Sequence, residues 1–298
     1  DIADAMRTRF LPQPQESVDD DGWPATSEGL GRAWIFTSAT LGHDAELSWF
    51  VKRCGLEGAR ILRVPSPFDY AAQAAMYVPE DFPSPSDPRH GSAVAALVAN
   101  AAMSLGGRTL VLTTTLRAIA VIAQVLRQQL AQRGSHLDVL AQGEWPKLRL
   151  MERFRAGAGP QGGCILVASA SFWEGFDVPG DALQLVVIDK LPFPPPGDPL
   201  VEARTLQIEQ SGGSAFKEYA LAEAAVALKQ GAGRLIRHES DRGVLVVCDS
   251  RLVRMGYGKR LIAALPPMRR LSGAEEFHAA LEDLASVTRT STTDQTFL

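Results

Sequence analysis

Short apolar runs interleaved with segments of helical periodicity constrain this chain more than any other feature. The runs lie at 60–64, 109–113, 137–140, 164–168, 184–189 and 243–248. They are rich in β-branched residues and apolar along their length, as strands covered on both faces must be. Helical spacing is predicted over 91–104, 116–132, 147–156, 214–230, 257–264 and 273–284. Strand and helix in alternation imply a parallel sheet with helices packed on both faces, an α/β fold. Ligands of such sheets bind outside the carboxyl ends of the strands, so residues just past each run become candidates.

The first 31 residues or so are polar and broken by Pro and Gly, with an acidic run at Asp19-Asp20-Asp21. They read as a solvated linker. Ala33-Trp34-Ile35-Phe36-Thr37 is a short strand candidate, followed by a helix near 44–54. Pro79, Pro83, Pro85 and Pro88 exclude regular structure over 79–90. The length of 298 residues allows one large or two small domains. A hydrophobic fraction of 46% against 21% charged fits a globular protein. No apolar run is long enough to span a membrane and no signal peptide opens the chain, so a cytoplasmic location is expected. The net charge of -4 excludes a chain coated in basic patches but not a local basic groove. Cys54, Cys164 and Cys248 are far apart, and the five histidines show no ligand spacing, so no metal site is expected.

Four motifs occur in order. Thr37-Ser38-Ala39-Thr40-Leu41 follows the first strand candidate. Leu110-Val111-Leu112-Thr113-Thr114-Thr115 ends a strand and precedes a helix, where hydroxyls and open N–H groups either cap the helix or bind a phosphate. Ser171-Phe172-Trp173-Glu174-Gly175-Phe176-Asp177-Val178-Pro179-Gly180 follows another strand. Last comes Gln230-Gly231-Ala232-Gly233-Arg234-Leu235-Ile236-Arg237, whose arginines share one face if a helix begins there. Such planar, permanent charges suit a transferring phosphoryl group, although an arginine pair is also an ordinary surface feature. A G-x-x-x-x-G-K-[ST] phosphate loop is missing from the sequence. The nearest glycine pair, Gly106-Gly107, lacks both the lysine and the spacing.

Together these motifs resemble motifs III to VI of superfamily 2 helicases, and in detail the DinG/YoaA branch of the XPD-like DNA helicases. The resemblance covers roughly residues 33–266. It implies a RecA-like parallel sheet, as in the C-terminal domain of a P-loop NTPase-type helicase. The expected division is 1–42 as linker and last strand of a first motor domain, 43–284 as the second motor domain, and 285–298 as a flexible tail. With no phosphate loop and no acidic Mg²⁺ box, the chain is expected to be a C-terminal fragment, inactive alone. ATP and Mg²⁺ would then sit in a site completed by the first motor domain, which would also hold the four-cysteine iron–sulfur cluster.

Residue by residue, the resemblance makes Arg234 and Arg237 arginine fingers, with Gln230 sensing the same phosphate. Gly175, Asp177 and Gly233 would approach the nucleotide, Asp177 by way of ribose hydroxyls. Thr113, Thr114, Thr115, Gln142, Ser169 and Ser171 would contact single-stranded DNA, with Lys147 either a backbone contact or a solvated charge. Trp173 fits a base-stacking face or plain core. Phe193, in the rigid Leu191-Pro192-Phe193-Pro194-Pro195-Pro196 loop, would wedge or stack against DNA. Ser38 and Thr40 would couple hydrolysis to movement. The implied activity is 5′-to-3′ DNA unwinding in repair or replication by a monomer. Its candidate partner is the clamp-loader χ subunit, through the Thr/Ser-rich tail ending in Phe297-Leu298. The alternative is a non-catalytic RecA-like module that binds nucleic acid or protein.

Overall fold

The structure, a computed structural model, describes residues 2–11, 34–38, 45–157, 163–169, 172 and 182–294. The chain divides into two compact units, Asp1–Pro65 and Ser66–Leu298. In the first unit a short helix α1 (Ile2–Ala5) continues into a π-helical turn to Phe10, and α2 spans Ser48–Cys54. Phe10, Trp34, Phe36 and Phe50 form a chain of ring contacts. Neither strand expected here forms. Residues 34–38 and 60–64 lie outside the sheet, and Ile35, Leu62 and Val64 are 84%, 86% and 79% exposed. Apolar, β-branched composition marks a strand only where a partner strand supplies the ladder.

The second unit is built on seven parallel strands. These are β1 (Ala74–Tyr77), β2 (Thr109–Leu112), β3 (Asp138–Ala141), β4 (Cys164–Ala168), β5 (Leu185–Ile188), β6 (Gly243–Val247) and β7 (Arg269–Leu271). Their order is β3-β4-β2-β5-β6-β1-β7. Around them stand α3 (Tyr70–Gln73), α4 (His90–Leu105), α5 (Leu116–Gln132), α6 (Lys147–Arg155), α7 (Pro199–Gln210), α8 (Leu221–Ala232), α9 (Arg251–Arg254), α10 (Gly258–Ala264) and α11 (Ala274–Asp294).

Side chains alternate across the sheet, as a period of two requires. Leu110, Leu112, Leu166, Val186, Ile188, Leu245 and Val247 face one core with α6, α8, α9 and α10. Val111, Ile165, Val167, Leu185, Val187, Val244 and Val246 face the other with α4, α5 and α11. The four central strands are therefore buried on both faces, which explains their uniformly apolar sequences.

Glycine is required where β2 and β4 begin. Gly107 has φ +96°, and a Cβ there would lie 2.5 Å from the Cys164 nitrogen. A Cβ on Gly163 would lie 1.8 Å from the Gly106 carbonyl oxygen. The Gly106-Gly107 pair thus lets two strands enter the sheet side by side. At the other end, α11 continues to Asp294, so residues 285–294 are helical.

Candidate functional site

Strand direction assigns every candidate to an edge of the sheet. At the amino edge lies the arginine motif. The helix does not begin there, as the glycines suggest; α8 ends there, with Gly233 as its C-cap at φ -66°. Gly233 is therefore a helix terminator that needs no left-handed backbone. Gln230 sits in the last turn of α8, and Arg234 and Arg237 come from the irregular loop that enters β6. Both arginines are half-buried.

That loop is fixed from two sides. Asp241, buried at 4% exposure, accepts the N–H groups of Arg237 at 2.7 Å and His238 at 2.8 Å through Oδ2. Gln73, buried at the end of α3, places Nε2 at 2.9, 3.0 and 3.1 Å from the carbonyls of His238, Glu239 and Asp241. Gln73 lies more than 160 positions from the loop it holds, so no sequence window contains the pairing.

At the carboxyl edge, β2, β3 and β4 bring together Thr113, Thr114, Thr115, Gln142 and Ser169. Gln142 Oε1 accepts the Ser169 backbone N–H at 2.7 Å and its hydroxyl at 3.1 Å. Gly143, with φ +98°, turns the chain sharply after Gln142. Thr115 is the N-cap of α5, its hydroxyl accepting from the Ala118 N–H at 3.2 Å. Thr113 departs from the expectation: it is fully buried, and its hydroxyl donates to the Thr115 carbonyl at 3.1 Å. Its side chain belongs to the core side of the strand end. Thr114 is half-buried.

Beside this group, Lys147 Nζ lies 4.9 Å from the Phe172 ring centre, and the Arg149 guanidinium stacks 3.6 Å over the partly exposed Trp145. A basic residue next to an exposed aromatic on a helix start was the available signal for Trp145 and Arg149, which sequence reasoning missed. Phe193 is half-buried in a ring cluster with Phe216 and Tyr257. Ser38 is exposed in the first unit. Thr40, Ser171, Trp173, Gly175 and Asp177 lie outside the described residues.

Two buried acids close the carboxyl edge. Burial pushes the Asp189 carboxyl up to about 6, against the pull of Lys190 and of the Lys190 N–H it accepts at 2.8 Å. Asp249, wholly buried, accepts the Leu191 N–H at 2.9 Å and pairs with Arg251 at 2.6 Å. Both cores hold a cysteine, and burial raises the thiols of Cys164 and Cys248. Among the described residues no cluster of three metal-ligating side chains occurs, and no helix is long and apolar enough to cross a membrane.

The family model described as "Helicase C-terminal domain" matches residues 98–268, more than half of the chain. The chain belongs to that family. Within it, the chain is similar to the helicases YoaA and DinG. It is 44% identical over 238 residues to the ATP-dependent DNA helicase YoaA of Escherichia coli, covering 80% of this chain and 36% of that protein. It is 38% identical over 255 residues to the ATP-dependent helicase DinG of Mycobacterium tuberculosis, covering 84% and 37%. The solved structure XPD_APO superposes with a TM-score of 0.49 at 18% identity, over 67% of this chain and 40% of that one. The chain thus spans a little over a third of the length of the curated relatives it matches. The helicase C-terminal match takes in β2 to β6 and both edges described above, and leaves α11 beyond its end.

Proposed function

We propose that this helicase C-terminal domain is the second motor half of an ATP-dependent DNA helicase that moves 5′ to 3′ on single-stranded DNA in repair or replication. The observation that carries the reading is the clamped arginine loop. A group that stabilises transition-state charge gains by being positioned before the reaction, because reorganisation then costs nothing at the crucial moment. The buried side chains of Asp241 and Gln73 use part-buried hydrogen bonds to fix the backbone that presents Arg237. That arrangement suits an arginine finger better than a solvated surface charge.

In this reading Arg234 and Arg237 face the γ-phosphate of ATP, with Gln230 behind them. Asp177 and Gly175 approach the ribose. Mg²⁺ and the phosphate loop come from the first motor domain, as does the iron–sulfur cluster, and no described residue of this chain fits either group. Thr114, Thr115, Gln142 and Ser169 offer hydroxyl, amide and backbone groups to DNA phosphates along the carboxyl edge, and Ser171 joins them in contacting DNA. Thr113 is not among them, since its hydroxyl is committed inward. Ser38 and Thr40 link hydrolysis to movement. The enzyme acts as a cytoplasmic monomer, and the C-terminal segment docks the clamp-loader χ subunit.

The test is steady-state ATP hydrolysis by the full-length protein. Arg237→Ala is expected to lower kcat by at least ~10³-fold with little change in ATP affinity. Arg237→Lys should fail as well, because a point charge cannot reproduce the guanidinium fork. A fully active lysine variant would refute the finger role. Unchanged turnover in both variants would leave a binding module instead.

A further inference from the structure

The carboxyl edge carries a second feature, over β5 and β6, that joins Phe193 of the Pro-rich loop to two rings outside the motifs. Phe193, Phe216 and Tyr257 form a closed triangle of rings, with centroid separations of 5.7, 5.9 and 5.3 Å. Arg251 lies 5.8 Å over the Phe193 ring. The triangle has a built floor. Asp249 holds the Pro-rich loop through the Leu191 N–H at 2.9 Å and holds Arg251 through Nε and Nη2 at 2.9 and 2.6 Å. Two loops from adjacent strands are thereby tied together beneath the rings.

Phe216 opens a π-helical turn, Phe216–Ala220, that runs into α8, and π-turns inside helices concentrate at functional sites. Phe216 is 44% exposed, while Phe193 and Tyr257, whose rings it contacts, are half-buried. A satellite hydrophobic cluster alone would leave this edge unremarkable. Its surroundings differ from that case. Arg251, Arg254, Lys259 and Arg260 fall within ten residues that contain no acid, and Lys217 adjoins Phe216. Arg260 stands one turn along α10 from Tyr257, its N–H bonded to the Tyr257 carbonyl at 3.0 Å, and so shares that face.

The nearby acids leave most of this charge in place. Asp249 neutralises Arg251. Asp81 meets Arg254 at 3.3 Å, but it is fully exposed and such pairs are worth little. Glu218 caps the Ser214 N–H at 3.0 Å.

We propose that the Phe216–Tyr257 ring face, with Arg260 on the same side and the exposed Lys217 and Lys259 adjoining it in sequence, is a single-strand nucleic-acid site that stacks an unpaired base. A half-exposed ring on a rigid floor, beside cations that track a backbone, is the chemistry by which proteins hold single strands without sequence preference. Duplex DNA does not fit, because its bases already stack on each other. The site adds to the Gln142–Ser169 surface. In the sheet order β4-β2-β5-β6, three inter-strand steps separate them, roughly 14 Å along one edge. The proposal rests on reading that edge as the nucleic-acid surface.

The test is fluorescence anisotropy of the 298-residue chain with labelled oligo-dT and with an abasic strand of the same length, at low salt. Phe216→Ala is expected to weaken oligo-dT binding about 5- to 100-fold and to leave the abasic strand nearly unchanged. Phe216→Trp should restore affinity. The double change Lys259→Glu, Arg260→Glu should weaken both strands and flatten the salt dependence. Oligo-dT affinity unchanged by Phe216→Ala, in a chain that melts like wild type, overturns the site while leaving the motor reading intact. Equal loss on both strands overturns stacking, and no capture of oligo-dT by the wild-type chain overturns the site outright. The motor reading stands or falls separately on the Arg237 turnover measurements.

Discussion

Removing the Asp241 carboxylate isolates the clamp on the arginine loop. Asp241→Ala leaves the N–H groups of Arg237 and His238 without the oxygen that now lies 2.7 and 2.8 Å away. A hydrogen bond to a charged acceptor contributes about 1.5–3 kcal/mol. His238 is exposed, so water replaces part of its bond, whereas Arg237 is half-buried and recovers less. Counting one bond in full and about half of the other gives a loss of roughly 2–4 kcal/mol. For a unit of this size each kcal/mol moves the midpoint by about 2–4 °C, so a fall in Tm of roughly 5–15 °C is expected. Asp241→Asn keeps an oxygen for both donors and loses only the charge, so its fall should be about half as large. Thermal and urea unfolding of the three proteins measure this directly. In the full-length enzyme, Asp241→Ala should also lower kcat with little change in KM, since the loop positions a group that acts in the transition state. If Asp241→Ala melts within about 2 °C of wild type, below the smallest expected fall, the loop is not held as described.

Two further outcomes test the sheet that carries both edges. The Asp189 carboxyl, raised to about 6 by burial, binds a proton in the folded chain that the unfolded chain has already released, so it makes stability fall as pH rises from about 4 to 6. Asp189→Asn should shrink that fall by up to about 3 kcal/mol; urea titrations at pH 4 to 7 in which the two proteins stay parallel would contradict it. Gly163→Ala drives a methyl to 1.8 Å from the Gly106 carbonyl oxygen, and Gly107→Ala puts one 2.5 Å from the Cys164 nitrogen at φ +96°; each should cost about 2–4 kcal/mol, and a urea midpoint unchanged in either variant would show that the strand starts can spread.

The central strands were legible because burial on both faces leaves one kind of sequence, a short apolar run, and no competing reading. The edge strand β3 was legible too, its 137–140 run lying within one residue of Asp138–Ala141, whereas β1 and β7 at the other side were not. β7, Arg269-Arg270-Leu271, is three residues long, and both its arginines are exposed. β1 reads Ala-Ala-Met-Tyr and follows Ala-Ala-Gln, a composition that favours helix over strand. It becomes a strand because β6 and β7 flank it. α7 carried a readable signal that was overlooked: Asp198 caps it and Pro199 opens it, the expected pair for a helix start. The arginine motif is legible by its residues, and the helix expected over 214–230 ends beside it as α8 does. Gly231 and Gly233 were read as leading into a helix, whereas glycine more often stands where a helix stops. Thr113, one residue past β2, is fully buried because the alternation of the strand continues through it.

The two candidate surfaces lie at opposite ends of the strands, and this bears on how a motor domain can use both. β6 alone separates them by five residues, about 17 Å. The sheet between is close-packed, and its central strands are almost wholly buried, so it transmits a displacement rather than absorbing it. α8 runs the same distance outside the sheet, about 18 Å for its twelve residues. Its leading π-turn carries Phe216 against Tyr257 at the carboxyl edge. Its last turn carries Gln230, and Gly233 caps it directly ahead of Arg234 at the amino edge. A strand stacked on Phe216 therefore bears on the same rigid rod whose far end sets the start of the arginine loop. For the proposed motor, that rod gives base capture and γ-phosphate sensing a shared mechanical element within one domain.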